Sequence, residues 1–329
     1  MNLICLDSIH DTKILTEKKT DILLHILAHI DINSVASNYD SDYVKYISDL
    51  KGEKTSSLYE SLKGIDDDNL VFLSFMPAFF TTIDSMFRGL RYLSIPGNKM
   101  KNGFAETESM CLRFLQDIYR NTNTTGLLKF TETAKSEYDL FYSEYWESRS
   151  EEYLRMINQF KEIWESEDNC RILSFLRNQG LPSISIYLSE GMRKNGRGMR
   201  SSSACALAKM PDNSKEVFES YYIAIHELLH QVVDGITQSI LEIDGQRRSL
   251  NPDDDEYSIH EQFENSVILA QHLLMGKSAY NWTKEYFTFV SKIFETDIKN
   301  DSEFYSFLKV DARIKKKLES IVNTQSKVV

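Results

Sequence analysis

The chain has 329 residues, 42% of them hydrophobic, with only 13 Gly and 5 Pro, so it can form one large domain or two ordinary ones and is not collagen-like, low-complexity or disordered. A formal net charge of -11 argues against a broad surface for nucleic acid or anionic lipid. The cysteines form no CxxC pair, and we find neither a signal-peptide core nor about 18 consecutive apolar residues. We therefore expect a cytoplasmic protein with reduced thiols that binds neither nucleic acid nor membranes.

The amino-terminal half has the apolar spacing of helices. Residues recur at intervals of three and four over Lys13–Ile30, Phe72–Leu93 and Glu106–Tyr119, which is the period of an amphipathic helix. The aromatic and acidic stretch Tyr138–Trp164 predicts one further long helix, whose aromatic residues pack between elements. Residues 1–165 are thus predicted to be a mainly helical region.

The carboxyl-terminal half begins with strand patterns. Ser183–Leu188 alternates polar and apolar residues, and Ser202–Lys209 alternates small and apolar ones, as strands with one buried face do. We expect these two strands to form an antiparallel hairpin, with the polar segment Glu190–Gly198 as its long loop. Residues 166–329 would then be a second domain with a small antiparallel or mixed sheet, or would join the first region in one continuous globule.

The next predicted helix contains an HExxH motif. Asn213 can cap it and Asp234-Gly235 can end it. His226 and His230 are four residues apart and therefore share one helix face, where both imidazoles can bind one metal ion. Glu227 can then act as general base for a metal-activated water. The motif predicts a metal site at His226 and His230.

A second histidine pair in the chain lacks the base. His25 and His29 also have the i, i+4 spacing, but Ile26 follows the first of them. Without an adjacent carboxylate the pair is more typical of packing than of a catalytic site. We therefore expect no second metal there.

Catalytic zinc needs a third protein ligand. The helix that we expect between the caps Asp253–Asp255 and the stop Gly276 offers His260, Glu261 and Glu264. No histidine occurs between His230 and His260, which excludes the zincins with a third histidine soon after the motif. A carboxylate is therefore the expected ligand.

These residues resemble the gluzincin metallopeptidases, including their thermolysin-like and lethal-factor-like members. In that superfamily a zinc-binding Glu lies on a helix after HExxH, often with Phe two residues later and a polar residue at three or four that supports the first histidine. The run Glu261–Asn265 is similar to this pattern. The resemblance spans about residues 183–276 and implies Glu261 as ligand, with Glu264 as runner-up, and Glu264 or Asn265 as the supporting residue.

The same resemblance implies an edge strand that pairs with an extended peptide, provided by Ser183–Leu188 or Ser202–Lys209. Attack on a peptide carbonyl also calls for an oxyanion stabiliser. We assign Tyr257 to this role. The alternatives are His260, Tyr280 and the pair Arg247-Arg248.

The loop after the first predicted strand is basic in an otherwise acidic protein, with Arg193, Lys194, Arg197 and Arg200. Such a loop could attract an acidic peptide or a substrate carboxylate. A solvated loop is the simpler interpretation.

Together these features predict a mostly helical α+β protein, with a zincin-like catalytic domain preceded by a helical region that walls off one side of the cleft. The predicted function is a metallopeptidase that hydrolyses a peptide or protein substrate with one Zn²⁺. His226, His230 and Glu261 would bind the metal, and Glu227 would be the base. The alternative is a zincin-fold peptide-binding or regulatory protein without proteolytic turnover.

Overall fold

The computed structural model describes most of the chain. The described residues are 12–30, 41–52, 62, 68–95, 103–119, 124–166, 169–181, 183–192, 196–200, 204–242, 257–275 and 283–325. Most of them are helical, and a small mixed sheet completes an α+β arrangement.

The elements of the first half are helices apart from one short strand. In chain order they are strand β1 (Thr12–Leu15), helices α1 (Lys18–Ala28) and α2 (Ser41–Lys51), a 3₁₀ helix (Asp68–Phe79), α3 (Ile83–Leu93), α4 (Glu106–Tyr119), α5 (Thr124–Glu137), a π-helical turn (Tyr138–Tyr142) and α6 (Ser143–Trp164).

The second half contains the remaining strands and the long helices. They are α7 (Cys170–Asn178), β2 (Ile184–Ser189), β3 (Arg197–Arg200), β4 (Ala204–Lys209), α8 (Val217–Glu242), α9 (Tyr257–Met275), α10 (Thr283–Ile293), α11 (Asp301–Phe307) and α12 (Ala312–Gln325). The HExxH motif lies in the middle of α8, which continues past its predicted end at Gly235.

The sheet differs from the predicted hairpin. Its strand order is β1-β2-β4-β3, and β2 is parallel to β4, with Ile186 opposite Ala206. The antiparallel partner of β4 is β3, which begins inside the segment Glu190–Gly198 that was predicted to be a loop, and Gly198 is opposite Ala206. The prediction of a β2–β4 hairpin was therefore wrong, because a four-residue strand rich in Gly and Arg has no apolar alternation to reveal it.

The amino terminus also corrects the sequence interpretation. Lys13–Ile30 was predicted to be one helix, but Thr12–Leu15 is a strand that pairs in parallel with β2. Likewise, Phe72–Leu93 divides into the 3₁₀ helix, which contains Pro77, and α3, which Thr82 caps. Pro77 lacks the amide hydrogen that a continuous α-helix would need at this position. The predicted helix Glu106–Tyr119 is confirmed.

Two hydrophobic cores lie against opposite faces of the sheet. Ile184, Ile186 and Leu188 of β2 face the core formed with α6 to α12, whereas Tyr187 faces the core formed with α1 to α5. Successive side chains of a strand point to opposite faces, which explains this division. The helical first half and the carboxyl-terminal half are thus joined through one shared sheet.

None of the helices in the described ranges combines the length and the apolar character that crossing a bilayer would require.

A buried carboxyl group lies where α1, α6 and the end of β2 meet. Asp21 is 3% exposed. Its Oδ2 accepts hydrogen bonds from the Thr16 hydroxyl at 3.0 Å and the Trp146 indole nitrogen at 2.8 Å. Burial is the largest influence and raises the pKa of Asp21 from 3.8 to about 7, although the hydrogen bonds oppose it.

This raised pKa predicts a pH-dependent stability. Below pH 3.8 the Asp21 carboxyl is protonated in both the unfolded and the folded state, and its contribution to the free energy of unfolding is fully present. As the pH rises to the folded-state pKa of about 7, the unfolded state loses this proton first, so the contribution is lost. The loss is about 4 kcal/mol by linkage. In Asp21→Asn, whose amide oxygen can keep both hydrogen bonds, the fall in unfolding free energy over this range should be smaller than in the wild type. Urea denaturation at a series of pH values measures it.

The matched control is Asp49→Asn, since Asp49 is exposed on α2. It should retain the wild-type pH profile. Identical profiles for the wild type and Asp21→Asn would contradict a titrating carboxyl at this site.

Candidate metal centre

Two imidazoles and one carboxylate meet between α8 and α9. The Nε2 atoms of His226 and His230 are 3.0 Å apart. Glu264 of α9 places Oε2 at 3.2 Å from Nε2 of His226 and Oε1 at 3.5 Å from Nε2 of His230. Among the described residues, this is the group of histidine, cysteine and acidic side chains whose atoms can surround one ion.

The third member of the cluster is therefore the runner-up of the sequence prediction. Glu264, and not Glu261, contacts the two imidazoles. Glu261 lies three residues earlier on the same helix and lines the same cleft. The rotation of α9 about its axis decides which of the two carboxylates faces α8.

Hydrogen bonds to the chain near α12 fix that rotation. Gln262 and Asn265 both donate from their amides to the Lys309 carbonyl, at 3.1 and 3.2 Å, and Gln262 also accepts from the Asp311 amide at 2.8 Å. Asn265 was a candidate supporting residue for His226, but its amide donates to the Lys309 carbonyl instead. The side chain thus anchors the helix rather than the first histidine.

Asp234 supports the second histidine. Its Oδ1 is 3.0 Å from Nδ1 of His230, one turn further along α8. An Nδ1–H that donates to this carboxylate leaves the Nε2 lone pair directed into the cluster, as in metal-binding histidines. Asp234 was predicted only as part of the helix end, although its i, i+4 spacing from His230 is a signal that could have identified it.

The protonation of the cluster reflects its many carboxylates. Burial opposes a charge on His230, but Asp234 and Glu264 raise its pKa to about 10. Burial also opposes the charge on Glu264, yet its hydrogen bonds to the two histidines hold its pKa well below the ordinary value. The carboxylates of Asp234 and Glu264 therefore favour a positive charge at the histidine cluster.

The donor set fits zinc. Two nitrogens and one oxygen are typical of catalytic zinc. Ligands about 2.0–2.2 Å from one tetrahedral ion lie roughly 3.3–3.6 Å from one another. The two imidazole nitrogens are 3.0 Å apart, and each has one of the two Glu264 carboxylate oxygens at 3.2 or 3.5 Å, which is close to this spacing. The ion would be held by the two neighbouring imidazole nitrogens and the carboxylate.

Glu227 lies beside the cluster, under the edge strand β3. It is partly buried, and burial raises the pKa of its carboxyl group, an effect that the neighbouring histidines and Arg197 oppose. A β-carbon added to Gly196 would lie 2.8 Å from Cγ of Glu227, and one added to Gly198 would lie 2.3 Å from its carbonyl oxygen. Both glycines are needed because β3 runs directly over this turn of α8.

These residues line a cleft of about 1170 Å³. The cleft is bounded by α8, α9, α10 and β3, and by Phe75 of the 3₁₀ helix in the amino-terminal half. Arg197, which was predicted to lie in a basic loop, belongs to β3 and also lines the cleft. Phe75 had no role in the sequence prediction.

Several predicted residues lie outside the described part of the chain. They are Arg193, Lys194, Arg247, Arg248 and Tyr280, together with the side chains of Arg200, Tyr257 and His260. The assignment of Tyr257 as oxyanion stabiliser therefore stays a prediction.

The second histidine pair has a structural environment. His25 is fully buried, with Nδ1 2.8 Å from the Tyr43 hydroxyl and Nε2 3.1 Å from Glu137, which also pairs with Lys51. Nδ1 of His29 is 2.7 Å from the carbonyl oxygen of His25. Burial lowers the pKa of both histidines, that of His29 to about 3. These contacts fit neutral histidines that pack in the core.

Comparisons of the chain with protein-family models, with curated proteins and with solved structures found no significant match.

The close approach of β3 to α8 gives a test of the site's framework. In Gly198→Ala the new methyl group would lie 2.3 Å from the Glu227 carbonyl, so β3 must move off the helix. We expect the free energy of unfolding to fall by about 1–3 kcal/mol, as measured by urea denaturation.

Gly235→Ala is the matched control in α8, because nothing lies within 4 Å of the added β-carbon. It should stabilise the helix by about 0.5–1 kcal/mol. If both variants have wild-type stability, the contact between β3 and α8 is not as tight as described.

Zinc titration distinguishes the two candidate carboxylates. Substitution of groups that only support ligands weakens metal binding about 10- to 100-fold, so Glu264→Gln should weaken zinc binding by more than about 100-fold. Glu261→Gln should bind zinc like the wild type. Competition with a chromophoric chelator measures both affinities, and the reverse result would restore Glu261 as the ligand.

Proposed function

We propose that the chain is a zinc-dependent metallopeptidase of the gluzincin type, with a zincin-like carboxyl-terminal half. The observation that carries the proposal is the cluster of His226, His230 and Glu264, with Glu227 beside it in an open cleft. In the proposed site the order of ligands along the chain is the gluzincin order, but the third ligand comes three residues after the one that the sequence resemblance implied.

Each residue of the site has a defined task. His226, His230 and Glu264 would hold one Zn²⁺, which when bound supplies the Lewis acidity that makes water reactive near neutral pH. Glu227 would take the proton of the attacking water and return it to the leaving amine. Asp234 would keep His230 in the tautomer that binds metal.

The edge of the sheet offers a way to hold the substrate. β3 is one of the two edge strands of the described sheet, with β1 at the other edge, and it lines the cleft next to Glu227. An extended peptide can add to such an edge through main-chain hydrogen bonds, which suits a peptide or protein substrate of varied sequence. The edge proposed from the sequence was β2 or β4, but both are interior strands of the described sheet.

We propose that the protein is located in the cytoplasm. Cys111 and Cys205 are free and buried, as expected of thiols that form no disulfide in a reducing environment.

Glu227→Gln tests the reaction directly. The amide cannot accept the proton of water, so peptide cleavage should fall at least about 100-fold, while zinc content and thermal stability remain those of the wild type. Zinc is measured by mass spectrometry of the metal, and cleavage by mass spectrometry of a peptide library with and without chelator.

The outcomes separate the proposed enzyme from a binding protein. Chelator-sensitive cleavage that disappears in Glu227→Gln supports the peptidase. A zinc-loaded wild type that binds peptides and leaves all of them intact would instead establish the binding or regulatory protein. A chain that takes up no zinc would remove the metal site and the peptidase with it.

A further inference from the structure

One row of the 3₁₀ helix Asp68–Phe79 begins at Asn69 and continues with three apolar residues that are at least partly exposed, although Phe75 also packs with one side against the core. Side chains three residues apart eclipse one another in a 3₁₀ helix. In the row that contains Phe72, Phe75 and Ala78, Phe72 is 42% exposed, Phe75 is partly exposed and Ala78 is exposed. The neighbouring row, which contains Leu70, Leu73 and Met76, is buried. A helix at an ordinary surface would have polar residues in its outer row.

This row reaches the proposed active site. Phe75 lines the same cleft as His226, Glu227 and Gly198 of β3. The 3₁₀ helix packs in the core on one face of the sheet, and α8 packs in the core on the other face. The edge strand β3 borders the cleft with both of them.

A peptide that adds to β3 as a further strand would place some of its side chains against Phe75. Alternate side chains of an added strand point to opposite faces of the sheet. One set of side chains would point towards α8 with His226 and His230, and the other set towards the 3₁₀ helix. Phe72 and Phe75 are about 6 Å apart along a 3₁₀ helix, close to the roughly 6.6 Å between alternate residues of a strand.

The 3₁₀ helix is held at both ends. The Tyr119 hydroxyl donates to the Asn69 carbonyl at 2.7 Å, and the Lys19 ammonium group donates to the Phe80 carbonyl at 2.7 Å. Phe75 is therefore a fixed part of the cleft wall, and contacts with it cost little ordering of the protein.

We propose that Phe75, extended by Phe72, is a specificity-determining surface that selects substrates with a large apolar or aromatic side chain, on the face of the bound peptide away from the metal. The inference rests on the proposed peptidase function. The partner is an extended peptide segment, because Phe75 and the edge strand β3 line the same cleft as His226, His230 and Glu264.

Cleavage profiling of the zinc-loaded full chain tests this selection. A peptide library read by mass spectrometry should show a preference for Phe, Tyr, Trp or Leu at one fixed position from the cleaved bond. For a matched peptide pair with Phe or Ala at that position, Phe75→Ala should lower the ratio of the two kcat/KM values about tenfold. Phe75→Leu keeps apolar packing against the core and should lower the ratio less.

Phe114→Ala is the control, because Phe114 is a 59% exposed aromatic residue of the same half that lies on α4 outside the cleft. It should leave the ratio unchanged. If the wild type cleaves peptides without this preference, or if Phe75→Ala and Phe75→Leu retain it, the inference is wrong and the peptidase function stands. If the zinc-loaded wild type cleaves no peptide, the proposed function fails and the inference fails with it.

Discussion

The site depends on the close contact between strand β3 and helix α8. Gly196 and Gly198 let the backbone of the strand lie on the turn of α8 that contains Glu227, where a β-carbon would meet the helix at less than 3 Å. Gln231 strengthens this arrangement from α8, since its amide donates to the Cys205 carbonyl of β4 at 3.0 Å. Because β3 lies directly on the turn of α8 that contains Glu227, the position of the sheet edge also fixes the position of this carboxyl group in the cleft.

The charges of the cluster require compensation. Glu227, Glu264 and Asp234 bring three carboxylates to two imidazoles, and partly buried carboxylates are stabilised by a nearby positive charge. Without a metal, His230 supplies it through its raised pKa. In the proposed function a divalent ion would supply this charge, and the same carboxylates would serve as a ligand, as the base and as the support of a ligand. The electrostatic arrangement and the proposed chemistry therefore have one physical cause.

The two halves of the chain meet at the sheet and at the cleft. β1 from the amino terminus pairs with β2, and the two cores use opposite faces of the same strands. The amino-terminal half therefore reaches the cleft through the 3₁₀ helix, at Phe75. This observation supports the expectation that the helical region forms one wall of the cleft.

Features that depend on local geometry could be predicted from the amino-acid sequence. His226, Glu227 and His230 could be identified because the i, i+4 geometry of a helix brings two imidazoles together regardless of the rest of the fold, and the helix Glu106–Tyr119 follows from its own apolar period. The tertiary structure decided the rest: Glu264 over Glu261, the edge strand β3, and the reach of Phe75 into the cleft. These depend on how one helix is rotated against another and on contacts between residues far apart in the chain, which hydrophobic spacing within one segment does not encode.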